Sequence, residues 1–79
     1  MSNSELDNLR LRIDDIDLEL SKLITERQSL ASKIMKAKKG HFPFDPLREE
    51  KLIKKIVSFG LDKFLVEKVW RQIISSNLS

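Results

Sequence analysis

Apolar residues in the first half of the chain recur at alternating spacings of three and four. The repeat has seven members: it runs through Leu9, Ile13, Ile16, Leu20 and Leu23 and, after one skipped position, resumes at Leu30 and Ile34. This heptad seam is typical of a helix that packs along its length against a second helix. The pattern predicts a first helix over residues 5–39, which at about 1.5 Å per residue is roughly 50 Å long.

Glycine and proline residues mark helix boundaries in the second half of the chain, where the sequence predicts two shorter helices. Asp45 and Pro46 suit the N-cap and first turn of a helix over residues 46–59. Gly60 suits the left-handed residue that closes it, and a third helix follows over residues 62–78. Their predicted apolar faces comprise Leu52, Ile53, Ile56 and Val57, then Leu65, Val66, Val69, Trp70, Ile73, Ile74 and Leu78. The sequence therefore predicts one all-α domain over residues 1–79.

A chain of 79 residues buries only about 60% of its unfolded surface, so it needs further stabilisation. It has no cysteine and one histidine, His41, which excludes disulfides, thiolate metal sites and His-rich metal sites. Oligomerisation is the remaining route. Since the long first helix must cover its seam, we expect a two-fold dimer in which a second copy of the chain packs against it.

Hydropathy and charge exclude further classes. No apolar run approaches the roughly 20 residues of a membrane span, and the first five residues lack the features of a signal peptide. We therefore expect a cytoplasmic protein that does not bind a membrane. The net charge of +3 permits an anionic ligand without requiring nucleic acid.

Arg27 occupies a position of the seam where the three-and-four spacing predicts an apolar residue. A charge in such a position is costly unless it is paired. It is either a structural ion-pair member, with Glu49 or Glu50 as partner, or an anion-binding arginine in a pocket that excludes water. Lys38 favours the second interpretation, because it lies eleven residues later on nearly the same helix face, with the small Ala31 between them.

Arg10 precedes Arg27 by seventeen residues, about 25 Å along a helix, so one small molecule cannot touch both within one chain. In an antiparallel dimer, Arg10 of one chain approaches Arg27 and Lys38 of the other, and two shared sites result. The alternative is a surface arginine paired with Asp14 or Asp17. The sequence shows no nucleophile–base pair or phosphate-binding glycine loop, so an enzymatic reaction here should need neither.

The ordered pattern resembles the all-α class of chorismate mutases over nearly the whole chain. The matching pieces are Leu9-Arg10-x-x-Ile13, Ile16-Asp17, Glu26-Arg27-x-x-Leu30-Ala31, Lys36-Ala37-Lys38, Asp45-x-x-Arg48-Glu49 and Trp70-Arg71-x-Ile73-Ile74. The resemblance implies an intertwined homodimer with two shared sites. It also implies the Claisen rearrangement of chorismate to prephenate in Phe and Tyr biosynthesis, with no cofactor and no metal.

The resemblance further implies roles for individual residues. Arg27, with Arg10 of the partner chain, would hold the two carboxylates of the substrate, and Lys38 would donate to its ether oxygen. Glu49 and the backbone near Asp45 would hold the ring hydroxyl, and Arg48 would support the pocket. Asn77 aligns with a serine of the family, while the family's late Gln or Glu of the third helix would fall beyond Ser79.

Three alternatives remain open at this point. A sister reaction on the same scaffold, isochorismate pyruvate-lyase or aminodeoxychorismate mutase, would retain most of these residues. A non-catalytic helical dimerisation or regulatory domain is the second. Nucleic-acid binding through Lys33, Lys36, Lys38 and Lys39 ranks below both, since the charge is low and no recognition motif is present.

Overall fold

The computed structural model describes residues 3–38 and 45–76 and contains three helices. They are α1 (Asn3–Lys38), α2 (Pro46–Val57) and α3 (Lys63–Ser76). The described residues contain no strand, which confirms the all-α prediction. Residues 39–44 and 77–79, which include the predicted end of the first helix and Asn77, lie outside the described residues. The chain divides into two units, residues 1–30 and residues 31–79.

The first unit is helical throughout its described residues and buries none of its side chains. Six of the seven members of the heptad seam lie in this unit, and they are 47–60% exposed. The described residues of this unit contain no second helix that could cover the apolar stripe, so its exposure follows from the fold of the unit. None of the helices in the described ranges is long and apolar enough to cross a membrane.

In the second unit α2 and α3 pack together as a helical hairpin. Residues 58–62 connect them, and so short a connection favours antiparallel neighbours. Ile53 of α2 and Val66 of α3 are buried. Half-buried residues extend this small core on both helices: Leu52, Ile56, Val57, Trp70, Ile73 and Ile74. Leu65 and Val69, which were predicted to be core, are exposed, because within this unit α2 covers only one stripe of α3.

The ends of the hairpin helices follow their cap residues. Asp45 is the N-cap of α2, with its Oδ1 accepting from the backbone N–H of Arg48 at 3.1 Å and Pro46 in the first turn, as predicted. Asp62 caps α3 in the same way, through its Oδ2 and the N–H of Leu65 at 3.0 Å. Helix α2 ends at Val57, two residues earlier than predicted.

The early end of α2 has a local cause. The N–H groups of Phe59 and Gly60 donate to carbonyl groups three residues back, those of Ile56 and Val57, each at 3.0 Å. These tighter turns replace the α-helical pattern. Gly60 has a φ of 101°, which confirms the predicted left-handed residue. A residue with a side chain is strained in that conformation.

Candidate functional site

The first turn of α2 brings three of the predicted site residues together. Asp45 accepts from the N–H of Arg48 through its side chain and from the N–H of Glu49 through its carbonyl, at 3.1 and 3.0 Å. Asp45 and Arg48 are exposed, and Glu49 is half-buried. The cap therefore holds the backbone from which Glu49 projects, and the helix N-terminus favours a negative charge there.

Few of the charged side chains in residues 3–38 and 45–76 are sheltered from solvent. Four are half-buried, namely Arg27, Lys38, Glu49 and Glu67, and the others are exposed. Three of these four are the residues for which the sequence predicted catalytic roles. A partly desolvated charge interacts more strongly with a ligand than one surrounded by water.

The other predicted site residues lie outside this helix turn, and their exposure and ion pairing are as follows. Arg10 is exposed on α1 and makes no ion pair with Asp14 or Asp17, so the predicted surface pairing is wrong. Within residues 3–30, Arg27 makes no ion pair either. Asn77 lies outside the described residues, and no statement about its position follows.

A groove of about 330 Å³ runs between α2 and α3. Its lining includes Glu49, Glu50 and Ile53 of α2 together with Lys63, Glu67 and Arg71 of α3. The Oε2 atom of Glu49 is buried and has no hydrogen-bond partner among the described residues. A buried acceptor without a donor is unfavourable, and it often marks a functional position. The same residues include no group of three or more His, Cys, Asp or Glu that could hold a metal ion.

Comparison with known families identifies the chain. A family model described as chorismate mutase type II matches residues 9–79. The chain belongs to the type II chorismate mutase family. This confirms the resemblance seen in the sequence, and the match includes every predicted site residue. No curated protein and no solved structure gives a significant match.

Sequence reasoning missed two charged residues of this type II chorismate mutase chain. Glu67 and Arg71 line the groove beside Glu49, and neither was among the predicted site residues. Glu67 carried a signal in the sequence, since it lies seven residues before Ile74 and so shares the apolar register of α3. Arg71 carried none, because an arginine on an exposed helix flank is ordinary.

The half-buried groups indicate what a type II chorismate mutase chain can do chemically. Arg27 and Lys38 can bind and stabilise negative charge, with the arginine able to hold a carboxylate through two parallel hydrogen bonds. The Glu49 carboxylate can accept a hydrogen bond from a hydroxyl group. Binding and charge stabilisation of this kind suit an isomerisation within one substrate molecule.

Proposed function

We propose that the chain converts chorismate to prephenate. One observation carries the proposal: of the four half-buried charged residues in the described chain, three are Arg27, Lys38 and Glu49. These are the residues that the family resemblance assigns to the substrate. Sheltering a charge from solvent costs free energy unless the charge has a partner. A dianionic substrate with a hydroxyl group supplies partners for all three.

The reaction needs no group from the protein to form a bond. The ether C–O bond of chorismate breaks while a C–C bond forms within the same molecule, so atoms and electrons balance without a co-reactant. Arg27 holds a carboxylate and keeps the substrate in its compact, reactive conformer. Lys38 donates to the ether oxygen, which gains negative charge as the C–O bond breaks. Glu49 accepts from the ring hydroxyl and orients the ring.

A second copy of the chain completes this proposal. It covers the exposed seam of α1 and supplies Arg10 for the other carboxylate. The charges of α1 support an antiparallel arrangement, because residues 3–20 contain six acidic and two basic side chains, whereas residues 21–38 contain one acidic and five basic. Antiparallel pairing places the acidic half of one helix beside the basic half of the other. The partner is thus a homodimer subunit with shared sites.

The place of the reaction in Phe and Tyr biosynthesis belongs to the same proposal, because prephenate is a precursor of both amino acids. The cytoplasmic location stays a prediction from the sequence.

The experiment is the loss of chorismate absorbance on adding purified protein, with the product identified by mass spectrometry. We expect prephenate. Arg27→Ala and Lys38→Ala should each lower turnover by about 10²-fold or more, the scale of losing one preorganised donor. The matched controls are Arg12→Ala and Lys36→Ala, which remove exposed cations of the same helix and should leave turnover unchanged. A folded protein that leaves chorismate intact, or that releases pyruvate from it together with a ring product, contradicts the proposal.

A further inference from the structure

The buried Oε2 atom of Glu49 needs a hydrogen-bond donor that the proposed reaction does not supply. This atom is closed to solvent, and the described residues give it no partner. A carboxylate has two oxygens, so a substrate hydroxyl can occupy the accessible one. The side chains that line the same groove are candidate donors for the buried oxygen.

Three cations line that groove, and two of them are already paired. The Nζ of Lys54 lies 3.4 Å from Oε1 of Glu50, and the Nζ of Lys63 lies 4.0 Å from Oε1 of Glu67. The Arg71 side chain makes no hydrogen bond or ion pair with any described residue. It is therefore the cation of the groove that is available to Glu49.

The positions of the two residues along the hairpin are compatible with contact. Glu49 lies one turn before the buried Ile53, and Arg71 lies five residues beyond the buried Val66. In an antiparallel hairpin both positions fall at the same level, on the side of the core away from the 58–62 connection. The exposed Arg71 side chain is long and changes rotamer rapidly, so it can reach across the groove.

We propose that Arg71 is a positioning residue, which donates to Oε2 of Glu49 across the α2–α3 groove in the assembled protein and fixes that carboxylate for the substrate hydroxyl. The role in catalysis rests on the proposed function. The contact itself does not, because it is a property of the hairpin. Arginine suits the role, since its planar fork keeps its donors and its charge in a defined direction.

A double-mutant cycle tests the proposal with Arg71→Gln, Glu49→Gln and both together. Two quantities are measured on the full chain: kcat/KM for chorismate and the free energy of unfolding in urea. We expect Arg71→Gln to lower kcat/KM by about tenfold or more, the scale of a lost charge-assisted hydrogen bond. In the Glu49→Gln background the same change should have little further effect on either quantity.

Two further variants separate this role from a structural one. Arg71→Lys keeps the charge but loses the planar fork, so it should recover part of the lost activity. Lys68→Gln removes an exposed cation of α3 outside the groove and should change neither quantity. Effects that add fully in both measurements, or an equal loss in Lys68→Gln, overturn the proposal. If wild-type protein does not act on chorismate, the proposed function fails, while the unfolding cycle still decides the contact.

Discussion

Replacing Leu23 with alanine tests whether a second chain covers the seam of α1, and the structure provides a matched control. Leu23 belongs to the seam, whereas Leu18 lies on the far side of the same helix, five residues earlier. Both side chains are 60% exposed. In an isolated chain, the two alanine substitutions should therefore have the same effect on stability. A difference between their effects would show that a partner chain covers the seam.

The expected size of that difference follows from the exposed fraction. Full burial of a leucine side chain stabilises by about 1.5–3 kcal/mol, and 60% of the Leu23 side chain remains to be covered. A partner that covers it contributes about 1–2 kcal/mol per chain, or about 2–4 kcal/mol for the two copies in a symmetric dimer. The dimer dissociation constant should then rise by between about 30-fold and nearly 1000-fold in Leu23→Ala.

Sedimentation equilibrium at several protein concentrations measures this constant for the wild type and both variants. Leu18→Ala should leave it unchanged within about threefold, because its effect on helix propensity is small. Equal dissociation constants for the two variants would refute the idea that the seam is the dimer interface. A wild-type protein that stays monomeric at high concentration would refute the dimer itself.

Two further predictions concern the ends of α2. Gly60→Ala should lower the free energy of unfolding by about 1–2 kcal/mol, from backbone strain alone, since the added Cβ would meet no atom within 4 Å; an unchanged urea midpoint would contradict this. Asp45→Ala should destabilise by about 1 kcal/mol through the lost N-cap, whereas Asp45→Asn should retain the cap. Urea unfolding of both variants measures these changes in stability. An equal loss of stability in the asparagine variant would argue against a capping role for Asp45.

Local chemistry made much of the fold predictable. The caps at Asp45 and the turn at Gly60 depend on the residues themselves and on hydrogen bonds a few positions away. The same holds for the periodicities that gave the three helices. The predicted end of α2 was two residues too late, because hydrogen bonds at Phe59 and Gly60 tightened the last turns. Propensity and periodicity do not specify such a change of pattern.

The candidate site was predictable only in part. Arg27 stood out because it interrupts an apolar seam, and Lys38 because it lies on nearly the same helix face. The role of Glu49 came from the family resemblance. For the Arg10 side chain, the sequence indicated a pairing with nearby aspartates that the structure lacks. An exposed ion pair contributes little stability, so proximity along a helix does not ensure that it forms.

The sequence by itself determined the three helices, the Asp45 cap of α2 and the family, because each of these depends on residue types at fixed spacings. The tertiary structure decided which charges share the α2–α3 groove. It placed Glu67 and Arg71 beside Glu49 and left one oxygen of Glu49 buried without a donor. That outcome depends on which faces of two helices meet, and the meeting is set by packing around Ile53 and Val66. Residues of α2 and α3 become buried only when the two helices pack together, so the sequence of either helix alone does not determine which residues are buried.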